Sequence, residues 1–70
     1  MSSGTVMWFN RTIGAGFIRT DDGDSVLFRR SSVKESDPSM IREGARVRVD
    51  VMESQYGPTA IHVRAFGLPG

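Results

Sequence analysis

The sequence has 70 residues, which suffices for one small domain and is too short for two. Hydrophobic residues make up 39% and charged residues 24%, a balance typical of a folded protein rather than a disordered tail. The absence of cysteine and the single histidine, His62, exclude disulfides, thiolate or multi-histidine metal sites and cysteine nucleophiles. We therefore expect neither a metal nor a cofactor.

Nine Lys and Arg residues against eight Asp and Glu residues give a formal net charge of +1, which neither requires nor forbids a nucleic-acid partner. Every basic residue except Lys34 is arginine, whose planar guanidinium can pair with phosphate and also lie on a base. The N-terminus lacks the basic-then-apolar profile of a signal peptide, and no run of about 18 apolar residues occurs. We therefore predict a cytoplasmic protein without a membrane partner.

Glycine and proline divide the chain into five segments of extended character. The first segment, residues 5–9, is rich in β-branched and aromatic side chains. The second, residues 15–20, ends in the acidic cluster 21–24, whose Asp and Gly residues are typical of a tight hairpin turn. The third segment, residues 25–29, completes that predicted hairpin.

The fourth segment, residues 46–51, alternates strictly, with three valines on one face and charged side chains on the other. Residues 55–58 form a turn into the fifth segment, residues 59–66. The sequence between the third and fourth segments sustains no helical period, and residues 36–38 allow at most a single helical turn. No helix is therefore expected to cover a sheet face.

Five short strands without a covering helix can bury a core by closing the sheet on itself. We therefore predict an all-β fold, a five-stranded antiparallel barrel over residues 1–66, with a short tail at residues 67–70. The predicted core consists of nine residues: Val6, Ile18, Val26, Phe28, Val47, Val49, Val51, Ile61 and Val63.

The second and third segments predict a distinctive outer face. Gly14 and Gly16 lie two residues apart, and glycine inside a strand usually marks the close approach of another group. Alternation places Phe17 on the side away from the core, together with Leu27 and Arg29 of the third segment. Phe28, by contrast, is predicted to pack in the core.

The orientation of Trp8 stays open at the sequence level. Plain alternation from Val6 turns Trp8 into the interior, whereas a β-bulge or strong coiling of the strand turns it outward, beside Phe17. An outward Trp8 would place two rings beside arginines, and single-stranded nucleic acid favours that combination. Bases stack on aromatic faces at about 1–3 kcal/mol each, while cations follow the phosphate backbone.

Over residues 4–66 the chain resembles the bacterial cold-shock proteins, with the matching motifs in the family's order and spacing. These motifs are Gly4-Thr5-Val6-Met7-Trp8-Phe9-Asn10, Gly14-Ala15-Gly16-Phe17-Ile18, Glu43-Gly44 and Gly57-Pro58-Thr59-Ala60. The resemblance implies a Greek-key barrel of the OB-fold type. It also implies a non-enzymatic protein that binds single-stranded RNA and DNA, opposes RNA secondary structure as an RNA chaperone, and influences transcription and translation.

Both ribonucleoprotein motifs of the family are altered in this sequence. The first, Lys-Gly-Phe-Gly-Phe-Ile in the family, here reads Ile13-Gly14-Ala15-Gly16-Phe17-Ile18. The second, Val-Phe-Val-His-Phe in the family, here reads Val26-Leu27-Phe28-Arg29-Arg30. In addition, Met7 replaces a common lysine, and Pro38 stands roughly where a loop aromatic is frequent.

The resemblance assigns base stacking to Trp8 and Phe17. Arg29 and Arg30, which replace a histidine and a phenylalanine, are predicted to pair with phosphate or to lie on bases. Tyr56, in the turn before the last segment, is a candidate for one further ring. Because three aromatic positions of the family pattern are lost, we expect a weaker binder that depends more on charge than typical members do.

A second hypothesis rests on the apolar side chains of the same face. They would form an exposed patch, and such patches mark protein contacts. The patch residues are Met7, Trp8, Ile13, Ala15 and Leu27. Under this hypothesis the barrel is a protein-interaction module, or a relic without a selected partner, and the patch permits dimerisation; otherwise we expect a monomer.

The remaining polar residues predict structure rather than chemistry. The acidic cluster 21–24 lacks the spaced ligands and the distal glutamate of a calcium loop. His62 is expected to be a solvated strand residue without an acidic partner. No carboxylate pair or triad stands out, so we predict no enzymatic activity.

Overall fold

The computed structural model describes residues 2–34 and 40–67. The strands are β1 (Ser2–Asn10), β2 (Ala15–Thr20), β3 (Ser25–Arg29), β4 (Arg46–Ser54) and β5 (Gly57–Gly67), and a 3-10 turn (Arg30–Ser32) follows β3. The predicted bounds of β2 and β3 are confirmed, whereas β1, β4 and β5 are longer than predicted. The proposed helical turn at 36–38 and most of the predicted tail lie outside the described residues. Within those described residues, no helix is long and apolar enough to cross a membrane.

The five strands close into one barrel in the order β1-β2-β3-β5-β4. Four of the strand pairs are antiparallel, and the fifth pair, β3 with β5, is parallel and meets at Leu27 and Thr59. A second parallel contact, between Val33 and Val63, extends this seam. The predicted closed five-stranded β-barrel is thus confirmed, with one parallel seam among its antiparallel pairs.

Seven of the nine predicted core residues are fully buried: Val6, Ile18, Val26, Phe28, Val47, Val49 and Val63. Sequence analysis did not identify three further core residues, Ile41, Ala45 and Ala60. Ile41 lies in a segment without a strand pattern, and this segment docks on β1 through backbone hydrogen bonds. Val6 donates its amide to Ala45 at 2.9 Å, and Gly44 donates to Val6 at 2.9 Å.

The prediction that Val51 and Ile61 belong to the core is wrong, because they are 41% and 37% exposed. A bulge in the β4–β5 pair aligns Val51 with Ala60 and leaves Ile61 as the extra, unpaired residue. Val51 lies beyond Val49, the last β4 residue that pairs with the described part of β1. Within residues 2–10, β1 therefore does not cover β4 at Val51.

The acidic cluster forms the predicted hairpin turn between β2 and β3. Thr20 donates its amide to the Asp24 carbonyl at 2.8 Å, and the buried Thr20 hydroxyl accepts from the Asp24 amide at 3.1 Å. Gly23 has a φ of 96°, which glycine adopts without steric cost. The cluster is accounted for by this turn geometry.

Candidate nucleic-acid interface

A β-bulge in β1 decides the orientation of Trp8. Val6 pairs with Ile18 and Trp8 pairs with Phe17, so Met7 is an extra residue without a partner in β2. The extra residue reverses the alternation, and Trp8 points outward although Val6 is buried. The indole is 43% exposed, which confirms the bulged, outward alternative.

Trp8, Phe17 and Leu27 form one row across three neighbouring strands. Trp8 lies opposite Phe17, and Phe17 lies opposite Leu27. Since neighbouring strands are about 4.8 Å apart, the backbone positions of this row span roughly 10 Å. The ring centroids of Trp8 and Phe17 are 5.6 Å apart at an interplanar angle of 56°. We call this apolar surface the aromatic row.

Arginines lie on both sides of the aromatic row. Arg29 pairs with Ala15 in the row on one side, and Arg19 pairs with Ser25 in the row on the other. Residues two apart on a strand are about 7 Å apart, so each arginine stem starts about that distance from the row. Both arginines are exposed, and Arg29 pairs with the small residue Ala15.

Arg30 braces the loop between β1 and β2. Its Nη2 donates to the carbonyl of Arg11, and its amide donates to the carbonyl of Gly14 at 2.9 Å. Gly14 has a φ of 69°, which favours glycine at this position. The guanidinium carries five N–H donors, so this contact leaves donors for other acceptors. An open groove lies between this loop and the 3-10 turn, lined by Thr12, Ile13, Gly14, Arg29, Arg30, Ser31 and Val33.

Gly16 allows β1 and the core to come close to β2. A side-chain carbon at this position would collide with the backbone carbonyl of Trp8 and lie 2.7 Å from the Phe28 ring. The group whose close approach the glycine spacing predicted is therefore part of the protein itself, namely the β1 backbone and the Phe28 ring. Phe28 in turn stacks on the half-buried Phe9, with centroids 5.2 Å apart.

Tyr56 lies at the margin of this face. Its side chain is 68% exposed in the turn between β4 and β5, where its amide donates to the Ser54 hydroxyl at 3.1 Å. Three residues later, Thr59 pairs with Leu27 at the end of the aromatic row. Consecutive Cα atoms are 3.8 Å apart, so the Tyr56 backbone lies within about 11 Å of Thr59. Among the described residues, no ring contact joins Tyr56 to the aromatic row.

An ion pair closes the β2 end of the interface. Arg46 donates to both carboxylate oxygens of Asp21, at 2.9 and 2.8 Å, and to the Thr5 hydroxyl at 2.8 Å. This hydrogen bonding holds the pKa of Asp21 below its usual range and raises the pKa of Arg46. The negative charge of Asp21, which lies two residues after Arg19, is therefore paired with the positive charge of Arg46.

The expectation that His62 has no acidic partner is wrong. Its Nδ1 lies 2.9 Å from Oδ2 of Asp50, because the β4–β5 register places the two residues opposite each other. The predicted exposure of His62 is confirmed. In residues 2–34 and 40–67, no cluster of three His, Asp or Glu side chains is arranged to hold a metal ion.

Sequence analysis also missed Phe66, which is 48% exposed. A second bulge, between Arg46 and Val47, leaves Phe66 as the extra residue of β5. The guanidinium carbons of Arg46 and Arg48 lie 5.6 and 5.1 Å from its ring centroid. Alternation from Val63 already places position 66 on the outer face, and this is the signal that could have identified it.

Comparison with known proteins finds a matching family model and several similar proteins. The family model for the 'Cold-shock' DNA-binding domain matches residues 2–66. A major cold shock protein of Streptococcus pyogenes serotype M6 is 41% identical over 63 residues, which cover 90% of this chain and 94% of the relative. Cold shock-like protein CspC of Bacillus cereus is 37% identical over 60 residues, covering 86% of this chain and 92% of the relative. Cold shock-like protein CspLB of Listeria monocytogenes is 38% identical over 60 residues, covering 86% and 91%.

Proposed function

The chain belongs to the cold-shock DNA-binding domain family, and on that premise we propose that its aromatic row binds single-stranded RNA or DNA. Family membership favours nucleic-acid binding over the hypothesis of a protein-interaction module. The observation that carries the location is the cross-strand row of the exposed Trp8 and the half-buried Phe17 and Leu27, which lies between Arg19 and Arg29.

Trp8 and Phe17 each offer a face to a base. Their tilt of 56° means that they offer two differently oriented surfaces, suited to two successive unpaired bases. Each stacked base contributes about 1–3 kcal/mol, whatever its identity, because every base has a π face. We therefore expect slight sequence preference. A strand held in this way cannot pair with itself, and this supports the role of an RNA chaperone.

Charge is expected to supply a larger share of the affinity than in members with the full aromatic set. Three positions that are aromatic in the family pattern are Ala15, Leu27 and Arg30 here. Arg29 can pair with a phosphate or lie flat on a base, and Arg19 can do the same on the other side of the row. Each phosphate neutralised on a single strand contributes about −0.7 to the slope of log K against log salt. The proposed result is modest affinity with a steep salt dependence.

Arg30 and Tyr56 lie at the edges of the proposed binding surface. Arg30 holds the β1–β2 loop through Arg11 and has further donors for a phosphate or a base. Tyr56 offers an exposed ring beyond the Leu27 end of the row. The cytoplasmic location, the monomeric state and the lack of enzymatic activity stay predictions.

Trp8 provides its own assay, because it is the only tryptophan of the chain. The experiment titrates its fluorescence with a single-stranded oligonucleotide of about eight nucleotides, at salt concentrations from about 50 to 200 mM. A duplex of the same sequence is the control. We expect quenching by the single strand that weakens steeply with salt. Quenching that ignores salt would contradict the charge-led mechanism, and no quenching at the lowest salt would contradict the proposed function.

A further inference from the structure

The outward surface of β4 and β5 carries a second group of arginines, Arg46, Arg48 and Arg64. The same surface also carries Asp50, His62 and Phe66. Arg48 and Arg64 pair directly across the two strands, and like charges in that position destabilise a sheet. No described carboxylate forms a salt bridge with either arginine. The cross-strand pairing therefore places two like charges side by side, and an external anion would relieve their repulsion.

Phe66 positions one member of the pair. The guanidinium carbon of Arg48 lies 5.1 Å from the ring centroid, within the range of a cation–π contact. Arg46 contacts the same ring but is already bound to both oxygens of Asp21. The contact with the ring therefore restricts the Arg48 guanidinium before any ligand arrives. A restricted guanidinium loses less entropy when it binds an anion.

A shallow pocket of about 180 Å³ lies between the two arginines. It is lined by Arg48, Val49, Asp50, His62 and Arg64. Among these lining residues Asp50 is the carboxylate, and its Oδ2 lies 2.9 Å from Nδ1 of His62. The two guanidinium groups thus outnumber the acid, and their planar forks match the oxygens of a phosphate.

We propose that Arg48 and Arg64 bind phosphates of a single strand that continues from the aromatic row onto the β4–β5 surface. This inference rests on the proposed function. Three features favour a nucleic-acid strand as the occupant: the paired arginines complement a phosphodiester, the exposed Phe66 ring lies beside them, and Arg19 and the Asp21-bound Arg46 lie between the two surfaces.

The connecting row crosses β1 at Thr5. Thr5 pairs with Arg19 in β2 and with Arg46 in β4, so the two arginine positions are separated by two strand spacings, about 10 Å. Arg19 flanks the aromatic row, and Arg46 contacts the Phe66 ring beside Arg48. A strand leaving Phe17 on this side therefore meets arginine on β2 and again on β4, and then reaches the Arg48–Arg64 pair.

The test compares two double variants of equal charge. Arg48→Gln with Arg64→Gln removes the proposed site, whereas Lys34→Gln with Arg42→Gln removes two exposed cations elsewhere. Each double variant lowers the formal net charge from +1 to −1, since two positive charges are lost. Labelled single strands of about 6 and about 16 nucleotides are titrated by fluorescence anisotropy, and Trp8 quenching is recorded in parallel.

For the long strand, we expect the Arg48/Arg64 variant to lose about 1.4 from the salt slope, at about 0.7 for each phosphate. Its affinity should fall about tenfold at low salt, as for lost charged hydrogen bonds. Binding of the short strand and the amplitude of Trp8 quenching should match those of the Lys34/Arg42 control. Thermal unfolding verifies that both double variants are folded.

The inference is overturned if the two double variants bind the long strand with the same affinity and the same salt slope. The proposed function fails separately, if neither strand quenches Trp8 in the wild-type protein. In a further outcome, the long strand binds without quenching Trp8, and this binding is lost only in the Arg48/Arg64 variant. That result would contradict the aromatic site and support the β4–β5 site.

Discussion

The β1–β3 surface and the β4–β5 surface each carry an exposed ring at a β-bulge, but the two rings have different neighbours. In β1 the extra residue Met7 turns Trp8 outward, and in β5 a bulge leaves Phe66 as the extra, exposed residue. On the first surface the displayed ring meets a second ring, that of Phe17. On the second surface the displayed ring meets two guanidinium groups. The neighbours of the ring, rather than the ring alone, therefore decide whether a surface suits bases or phosphates.

The two surfaces also differ in what holds them. The aromatic row depends on tight backbone packing, because Gly16 leaves no room for a side chain between β1 and the Phe28 ring. The β4–β5 surface depends on cation–π contacts and ion pairs, which are weak where solvent reaches them. Changes in backbone packing should therefore affect the first surface most, and changes in charge should affect the second.

The largest effect is expected from Gly16→Ala. The added carbon collides with the backbone carbonyl of Trp8, which cannot move without disrupting β1, so the free energy of unfolding should fall by about 3 kcal/mol. That is a large share of the roughly 4–10 kcal/mol expected for a domain of this size. Urea unfolding measures it. Gly23→Ala is the control, because a Cβ added at Gly23 meets no atom beyond its chain neighbours within 4 Å and its cost arises from the positive φ. If the two variants lose equal free energy of unfolding, the packing role of Gly16 is contradicted.

The next largest effect concerns binding. Trp8→Ala should weaken binding of a short single strand about 5- to 150-fold, the equivalent of about 1–3 kcal/mol for one stacked base. Stability should change less, because the indole is half-exposed. Because Trp8→Ala has no tryptophan, binding is measured by the fluorescence anisotropy of a labelled oligonucleotide. Phe66→Ala is the matched control on the other surface, and a comparable loss there would show that the two surfaces do not divide the work as proposed.

A gain of binding is expected from Leu27→Phe. The new ring would stand opposite Phe17 and extend the aromatic row to three rings, so affinity should rise about fivefold, near 1 kcal/mol for one base. The salt slope should not change, because no charge is added. Ile61→Phe places the same ring at the exposed, unpaired position of the β4–β5 bulge as a control. If both variants bind alike, added hydrophobicity rather than the cross-strand row explains the gain.

The strands that sequence analysis predicted best are those bounded by strong turn signals. β2 and β3 begin and end as predicted; an Asp- and Gly-rich turn joins them, and Gly14 immediately precedes β2. The outward positions of Phe17 and Leu27 follow from alternation within these two regular strands.

Bulges explain most of what could not be predicted. Alternation counts residues along one strand, whereas a bulge belongs to a pair of strands and shifts every later residue to the other face. For this reason Trp8 stayed open, and Ile61 was wrongly placed in the core. The contact between His62 and Asp50 likewise depends on a register that only the assembled barrel reveals.

A smaller effect is expected from Arg29→Gln. It should lower the salt slope for a short strand by about 0.7 and weaken binding a few-fold, because one phosphate contact is lost beside an intact aromatic row. Arg29→Lys keeps the charge but loses the planar group, so it should keep the slope and lose part of the affinity. Titrations at several salt concentrations separate the two. If the slope is the same in all three proteins, Arg29 does not contact a phosphate.

The smallest effect concerns the ion pair between the two surfaces. The hydrogen bond from Arg46 lowers the pKa of Asp21 in the folded state, so its stabilisation is present above the unfolded pKa of about 3.9. It is lost as the pH falls through the lower folded pKa. Asp21→Asn should therefore lower the melting temperature slightly at pH 7 and by less as the pH falls through the folded pKa, whereas Asp22→Asn controls for the change of charge.

The same variant tests whether Arg46 belongs to the connecting row. Asp21→Asn removes the carboxylate that holds both Nη atoms of Arg46 and leaves this cation available to a strand crossing β1. Asp22→Asn removes an equal charge but leaves the ion pair intact. A long strand should therefore bind more tightly to Asp21→Asn than to Asp22→Asn, while a short strand should not distinguish them. If the long strand treats the two variants alike, its path does not cross Arg46, and the two surfaces bind independently.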